Sequence, residues 1–229
     1  MKNIKAVIFD FDGTLADSLH VWRQIDINYF QRHGFEFNPE KISFGGKSFS
    51  ECATYVKELL NIEDDEETIK SEWIQIASSL YQNEVNLKPY AKPFIEALTN
   101  SGIKIGMATS NNQDILIPFL RKNGILDYFT SIITCCEAGK GKPAPDVYQH
   151  TAREIGVSPD ECIAFEDTCE GVLSAKNAGM YVYAVADDAH IKYSDTIKEN
   201  ADKYIEGFSH FKCGLSSIKQ FIFNDINSI

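Results

Sequence analysis

The stretch Ile4-Lys5-Ala6-Val7-Ile8-Phe9-Asp10-Phe11-Asp12-Gly13-Thr14 opens on an apolar run and ends it abruptly on two aspartates. From Ile4 to Phe9 the residues are largely apolar and β-branched without alternation, which predicts a short strand buried on both faces of a parallel sheet. Asp10 and Asp12 stand two residues apart, so an extended backbone projects both to one face, about 6.5 Å apart along the strand. A phosphoryl group fits between them. One carboxylate can attack phosphorus while the other gives and takes protons, and Gly13 lets the chain turn tightly.

Working outward, similar apolar runs recur at Ile103 to Ala108, Ser131 to Thr134, Cys162 to Phe165 and Met180 to Val185. Between them lie stretches with helical spacing, Phe94 to Asn100, Gln113 to Asn123, Val147 to Ile155 and Glu170 to Ala178, closed in turn by Gly102, Gly124, Gly156 and Gly179. A glycine at that place suits the left-handed residue that ends a helix. Strands alternating with helices at this interval predict an α/β fold, a doubly wound parallel sheet. The segment 16–88 breaks the alternation: it carries helical stretches at Val21 to Arg32, Ser50 to Leu59 and Glu66 to Tyr81 and no convincing strand. It reads as an inserted helical cap domain, leaving 1–15 and 89–229 as the core domain. The run Asp64-Asp65-Glu66-Glu67 reads as a helix start, where the dipole favours acids. A last strand is expected near Lys203 to Ile205, then a closing helix from Leu215, with no chemistry in the tail from Asp187.

The 229 residues carry 33 acidic and 22 basic side chains, a net charge of -11, which argues against nucleic acid or an anionic membrane as partner. Six cysteines without C-x-x-C spacing point to reduced thiols, and no apolar run is long enough for a signal peptide or a spanning helix, so a cytoplasmic protein is expected. A monomer or weak dimer is expected.

Four polar clusters follow apolar strands: Asp10 to Thr14, Thr109-Ser110-Asn111, Lys142-Pro143 and Glu166-Asp167. In an open parallel sheet the ligand crevice lies beyond the carboxyl ends of the strands, so all four can converge across the length of the chain. Two bare aspartates would repel a phosphate dianion, so cations are needed. Asp167 with Asp10 and a backbone carbonyl suits Mg2+, Lys142 supplies a fixed charge, and the groups at Thr109 and Ser110 can hold phosphate oxygens.

Asp10-Phe11-Asp12-Gly13-Thr14-Leu15, Ala108-Thr109-Ser110-Asn111, Gly141-Lys142-Pro143-Ala144-Pro145-Asp146 and Phe165-Glu166-Asp167-Thr168 together resemble the four motifs of the haloacid dehalogenase-like (HAD) hydrolases. The resemblance spans nearly the whole chain and implies a Rossmann-like core with a cap inserted between the first and second motifs. It implies Asp10 as nucleophile, Asp12 as general acid/base, and Thr109, Ser110, Asn111 and Lys142 as phosphate binders. It further implies Mg2+ held by Asp10, the Asp12 carbonyl and Asp167, with Glu166 behind them. Dehalogenases of the family lack an acid at the position of Asp12, so phosphoryl transfer is expected.

Within the phosphatase branch the chain looks most like β-phosphoglucomutase and the small sugar-phosphate or phosphoglycolate phosphatases. The mutases carry a cap Gly-x-Ser-Arg segment whose arginine holds a second phosphate; here it reads Gly46-Lys47-Ser48-Phe49. A hydrolase of a small phosphorylated metabolite is therefore expected, with a mutase as one alternative and a noncatalytic binding domain as another. Cap residues expected near the site are Trp22, Arg23, Asp26, Gly45, Gly46, Lys47 and Phe49, with Trp22 and Phe49 equally suited to packing the cap.

Overall fold

The computed structural model describes residues 4–39 and 41–226; residues 1–3, 40 and 227–229, which the expected domain boundaries include, lie outside the described residues. In chain order the elements are β1 (Ala6–Phe9), β2 (Ala16–Asp17), α1 (Leu19–Arg32), α2 (Phe49–Leu60), α3 (Glu66–Asn83), β3 (Asn86–Leu87), α4 (Ala91–Asn100), β4 (Lys104–Thr109), α5 (Gln113–Lys122), β5 (Ser131–Thr134), α6 (Cys135–Ala138), α7 (Asp146–Glu154), β6 (Cys162–Glu166), α8 (Cys169–Asn177), β7 (Tyr181–Val185), α9 (Ser194–Asn200), β8 (Lys203–Ile205) and α10 (Ile218–Ile226). Six strands form one sheet in the order β5-β4-β1-β6-β7-β8, and every neighbouring pair is parallel.

The uniform apolar strands are explained by the layers on either face. Val7 and Phe9 enter one core cluster with Met107 and Phe165, while Ala6 and Ile8 enter the other with Ala108 and Ala164. On the first face Phe9 stacks on Phe165 at 5.2 Å, and Phe94 of α4 stacks on Phe211 at 4.4 Å. The second face is lined by small residues, so helices approach closely: a Cβ on Gly106 would strike Thr151 of α7. Because β4 and β6 leave β1 on opposite sides, the strand order reverses at β1. A crevice opens there beyond the carboxyl ends.

Between β2 and β3, α1, α2 and α3 pack on one another through Trp22, Phe49 and Trp73, and their buried residues join the first core cluster. Asp65 caps α3 by accepting from the Thr68 amide, as the acidic run led one to expect. Ser48 and Glu51 close a reciprocal capping box on α2.

Three expectations are corrected. The two crossings into the helical segment are strands after all: Ala16–Asp17 pairs antiparallel with Asn86–Leu87. Two residues are too few to show a period. The closing helix begins at Ile218 rather than Leu215, because Phe208–Ser217 winds as a 3-10 helix and Gly214 packs too tightly on Phe221 for a side chain. The tail from Asp187 also carries a residue of the candidate site. Among the described residues no helix is long and apolar enough to cross a membrane.

Candidate active site

Asp10 follows β1 directly, Thr109 ends β4 and Glu166 ends β6, so three adjacent strands deliver their last polar residues to one point. Lys142, on the loop before α7, reaches into the same point. Its Nζ lies 2.6 Å from Asp10 Oδ1, 2.5 Å from Glu166 Oε1 and 3.2 Å from the Ala108 carbonyl. The Tyr148 hydroxyl donates to the same Glu166 oxygen at 2.7 Å. Asp167 accepts from Thr14 Oγ1 at 3.0 Å, and its other oxygen sits 2.9 Å from His190 Nδ1. Carboxylate oxygens of Asp10, Glu166 and Asp167, all buried, lie within 4.8 Å of one another.

Burial dominates the electrostatics. It raises the pKa of Asp10 well above the ordinary carboxylate range, Lys142 opposes it, and the neighbouring Glu166 and Asp167 reinforce it. Asp167 is likewise raised by burial, against the pull of His190. Burial works against the charge on Lys142, yet Asp10 and Glu166 more than offset it and hold the ammonium protonated. Glycine is required twice here. Gly13 adopts φ +80°, and a Cβ on it would run into Asp167; a Cβ on Gly171 would run into the Glu166 carboxylate.

Asp12 faces a separate set of partners. Ser18 Oγ donates to Asp12 Oδ1 at 2.6 Å, Asn111 Nδ2 donates to Oδ2 at 2.7 Å, and the Tyr81 hydroxyl donates to Oδ1. Ser18 precedes α1, Tyr81 lies on α3, and Asn111 follows β4, so the helical segment and the sheet grip one carboxylate together. Asn111, expected among the phosphate binders, has its amide on Asp12 and Tyr81. The Asp12 side chain is not part of the Asp10, Glu166 and Asp167 cluster; the group of Asp12 expected to serve a metal is its backbone carbonyl.

Above this floor lies a cavity of about 270 Å³, into which Asp10, Asp12, Thr109, Ser110, Asn111, Lys142 and Glu166 face. Trp22, Asp26, Gly46, Lys47 and Phe49 line its upper wall as expected; Arg23 is exposed, and neither it nor Gly45 reaches the lining. Lys47 directs its ammonium to the Ser43 carbonyl at 3.1 Å and over the Tyr55 ring at 5.1 Å. Sequence reasoning missed Ser18, Tyr81, Tyr148, Trp73 and His190. For Tyr81 and His190 no local signal exists, since their partners lie 69 and 23 residues away.

A family model described as haloacid dehalogenase-like hydrolase matches residues 7–185. The β-phosphoglucomutase of Bacillus subtilis (strain 168) is 29% identical over 220 residues, covering 89% of this chain and 93% of that one. The validoxylamine A 7'-phosphate phosphatase of Streptomyces hygroscopicus subsp. limoneus is 29% identical over 179 residues, covering 77% and 83%. Among solved structures, that of β-phosphoglucomutase from Clostridium difficile superposes with a TM-score of 0.80 at 22% identity, covering 98% of each chain, a likeness of fold.

Proposed function

The chain belongs to the haloacid dehalogenase-like hydrolases, and from that membership we propose that it is a Mg2+-dependent phosphatase of a small phosphorylated metabolite, acting through an aspartyl-phosphate on Asp10. The observation that carries the reading is the placement of two aspartates in one cavity with opposite surroundings. Asp10 is buried against a lysine, whereas Asp12 is steered by three neutral donors. The first arrangement suits a nucleophile and the second a proton carrier.

Three buried carboxylates with hard oxygen donors, countered at Asp10 and Glu166 by the single Lys142 ammonium, fit a divalent cation. Asp10, the Asp12 carbonyl and Asp167 would hold Mg2+, with Glu166 behind them. When bound it would neutralise phosphate charge that the carboxylates otherwise repel. Lys142 and the groups of Thr109 and Ser110 hold the phosphoryl oxygens. An Asp10 oxygen forms a bond to phosphorus as the bond to the leaving oxygen breaks, and Asp12 gives that oxygen its proton. Asp12 then takes a proton from the water that attacks the aspartyl-phosphate, releasing inorganic phosphate and restoring Asp10.

The two-strand ribbon at the crossings supports reading residues 16–88 as a cap domain that covers the site, with 1–15 and 89–229 as the core. The likeness to a mutase raises phosphate transfer between two positions of one sugar as a second reading. Such a reaction needs a cap cation for the distal phosphate. Phe49 is buried among aromatic rings, Arg23 lies off the cavity, and the ammonium of Lys47 is bonded to the Ser43 carbonyl, which supports water as the acceptor.

The test is Asp10→Asn assayed on p-nitrophenyl phosphate with Mg2+. A loss of several orders of magnitude is expected, and activity within tenfold of wild type would remove Asp10 as nucleophile. A product assay with β-glucose 1-phosphate and a bisphosphate activator should release phosphate faster than glucose 6-phosphate accumulates; the reverse would favour the mutase.

A further inference from the structure

The upper half of the cavity differs in chemistry from its floor. The floor holds Lys142 for the phosphoryl group, whereas the upper wall is lined by the rings of Trp22, Phe44, Phe49 and Trp73 together with one acid, Asp26 of α1. We propose that the substrate's end remote from its phosphate carries a protonated amine, held by the Asp26 carboxylate among those rings. This rests on the phosphatase reading and deepens it by naming the substrate class, a small phosphomonoester of an amino alcohol.

Three observations support the assignment. First, no described Lys, Arg or His forms an ion pair with Asp26, and burial pushes its carboxyl up to about 7 with no protein cation to oppose it. Lys47, the other ionic group of the upper wall, is already bonded to Ser43 and stacked over Tyr55. Cys52 nearby adds no charge, since burial pushes its thiol up to about 12. Asp26 is thus the acid of this wall that carries no protein cation, placed to take up a ligand's positive charge.

Second, the negative π-faces of indole and phenyl rings attract cations, tryptophan most strongly, and do so best where water is excluded. Two of these four rings are indoles. Third, a cavity of about 270 Å³ lies below the common range for small-molecule sites, ~300 to 1,000 Å³, so phosphate and amine must sit a few carbons apart.

The experiment is isothermal titration of the wild-type protein with three phosphonates of matched length, whose carbon–phosphorus bond the proposed chemistry does not cleave. They are 2-aminoethylphosphonate, propylphosphonate and 2-carboxyethylphosphonate, each with Mg2+. The amine should bind at least about tenfold tighter than the alkyl compound, with the carboxylate weakest. Because Trp22 and Trp73 are the chain's two tryptophans, intrinsic fluorescence should shift with the amine and so locate it. Asp26→Asn should bring the amine and alkyl affinities within about threefold, a thermal melt confirming that the variant is folded; if it is not, the wild-type comparison decides alone. Equal or tighter binding of propylphosphonate, or no measurable binding of the amine at millimolar concentration, would overturn the assignment. Hydrolysis of p-nitrophenyl phosphate separates the two readings. Turnover without the amine preference leaves the phosphatase and removes the amine pocket; the preference without turnover does the opposite.

Discussion

Three donors from three places converge on Asp12, and that convergence has measurable consequences. Asp12→Asn should slow alkyl phosphates by ~10²- to 10⁴-fold, and p-nitrophenyl phosphate far less, because a good leaving group needs no proton. Equal losses on both would make Asp12 structural. Tyr81→Phe removes the donor that belongs to α3. It should lower kcat on an alkyl phosphate by about tenfold with KM little changed, since Asp12 keeps its other two partners and the phosphate floor is untouched. A rise in KM with kcat intact would place Tyr81 on the substrate instead. At this scale the sequence revealed the residues that end strands, Asp10, Thr109, Glu166 and Asp167, because an apolar run stopping on an acid or a hydroxyl is visible in one dimension. Ser18, Tyr81 and His190 were not visible: a serine before a helix, a tyrosine in an amphipathic helix and a histidine in a tail have ordinary structural uses, and only the folded chain shows where each points.

Among the elements, apolar runs located each strand of the six-stranded sheet to within two residues, though not the two-residue strands β2 and β3, and Gly102, Gly124, Gly156 and Gly179 mark helix ends with φ between +62° and +91°. Helix starts were harder. The expected helix at Phe94 begins at Ala91, because Pro93 falls in the first turn, where its missing N–H would have no partner anyway. For α3 the acidic start gives a direct check. Asp65→Ala should lower stability by about 1 kcal/mol, roughly 2 to 4 °C in Tm for a chain of this size, because the Thr68 amide loses its acceptor. No change in Tm would mean that this end of α3 adds nothing to the cooperative unit.

For the whole molecule, the sheet order was legible only as a class, since apolar runs identify strands without saying which neighbour each takes. The site's charge, by contrast, affects the entire fold. Asp10, Asp26 and Asp167 all have pKa values raised by burial, Asp26 to about 7, against an unfolded value near ~3.9. A carboxyl that holds its proton more tightly when folded contributes stability at low pH and loses it as pH rises through the folded pKa. Before Mg2+ is added, Tm should therefore climb as pH falls from about 8 to about 6, and Asp26→Asn should flatten part of that slope. A Tm that falls over this window, or a slope that Asp26→Asn leaves unchanged, would contradict the assignment.

The central claim, a covalent phosphoryl group on Asp10, can be read directly. The protein is mixed with substrate and Mg2+, quenched in acid within the first turnover, and treated with borohydride, which reduces an acyl phosphate to the alcohol; the peptide around residues 4–14 is then sequenced by mass spectrometry. Reduction at Asp10 alone, dependent on substrate and absent from Asp10→Asn, is the expected result. Full phosphate release with Asp10 unmodified at every quench time, or reduction at Asp12 instead, would contradict it.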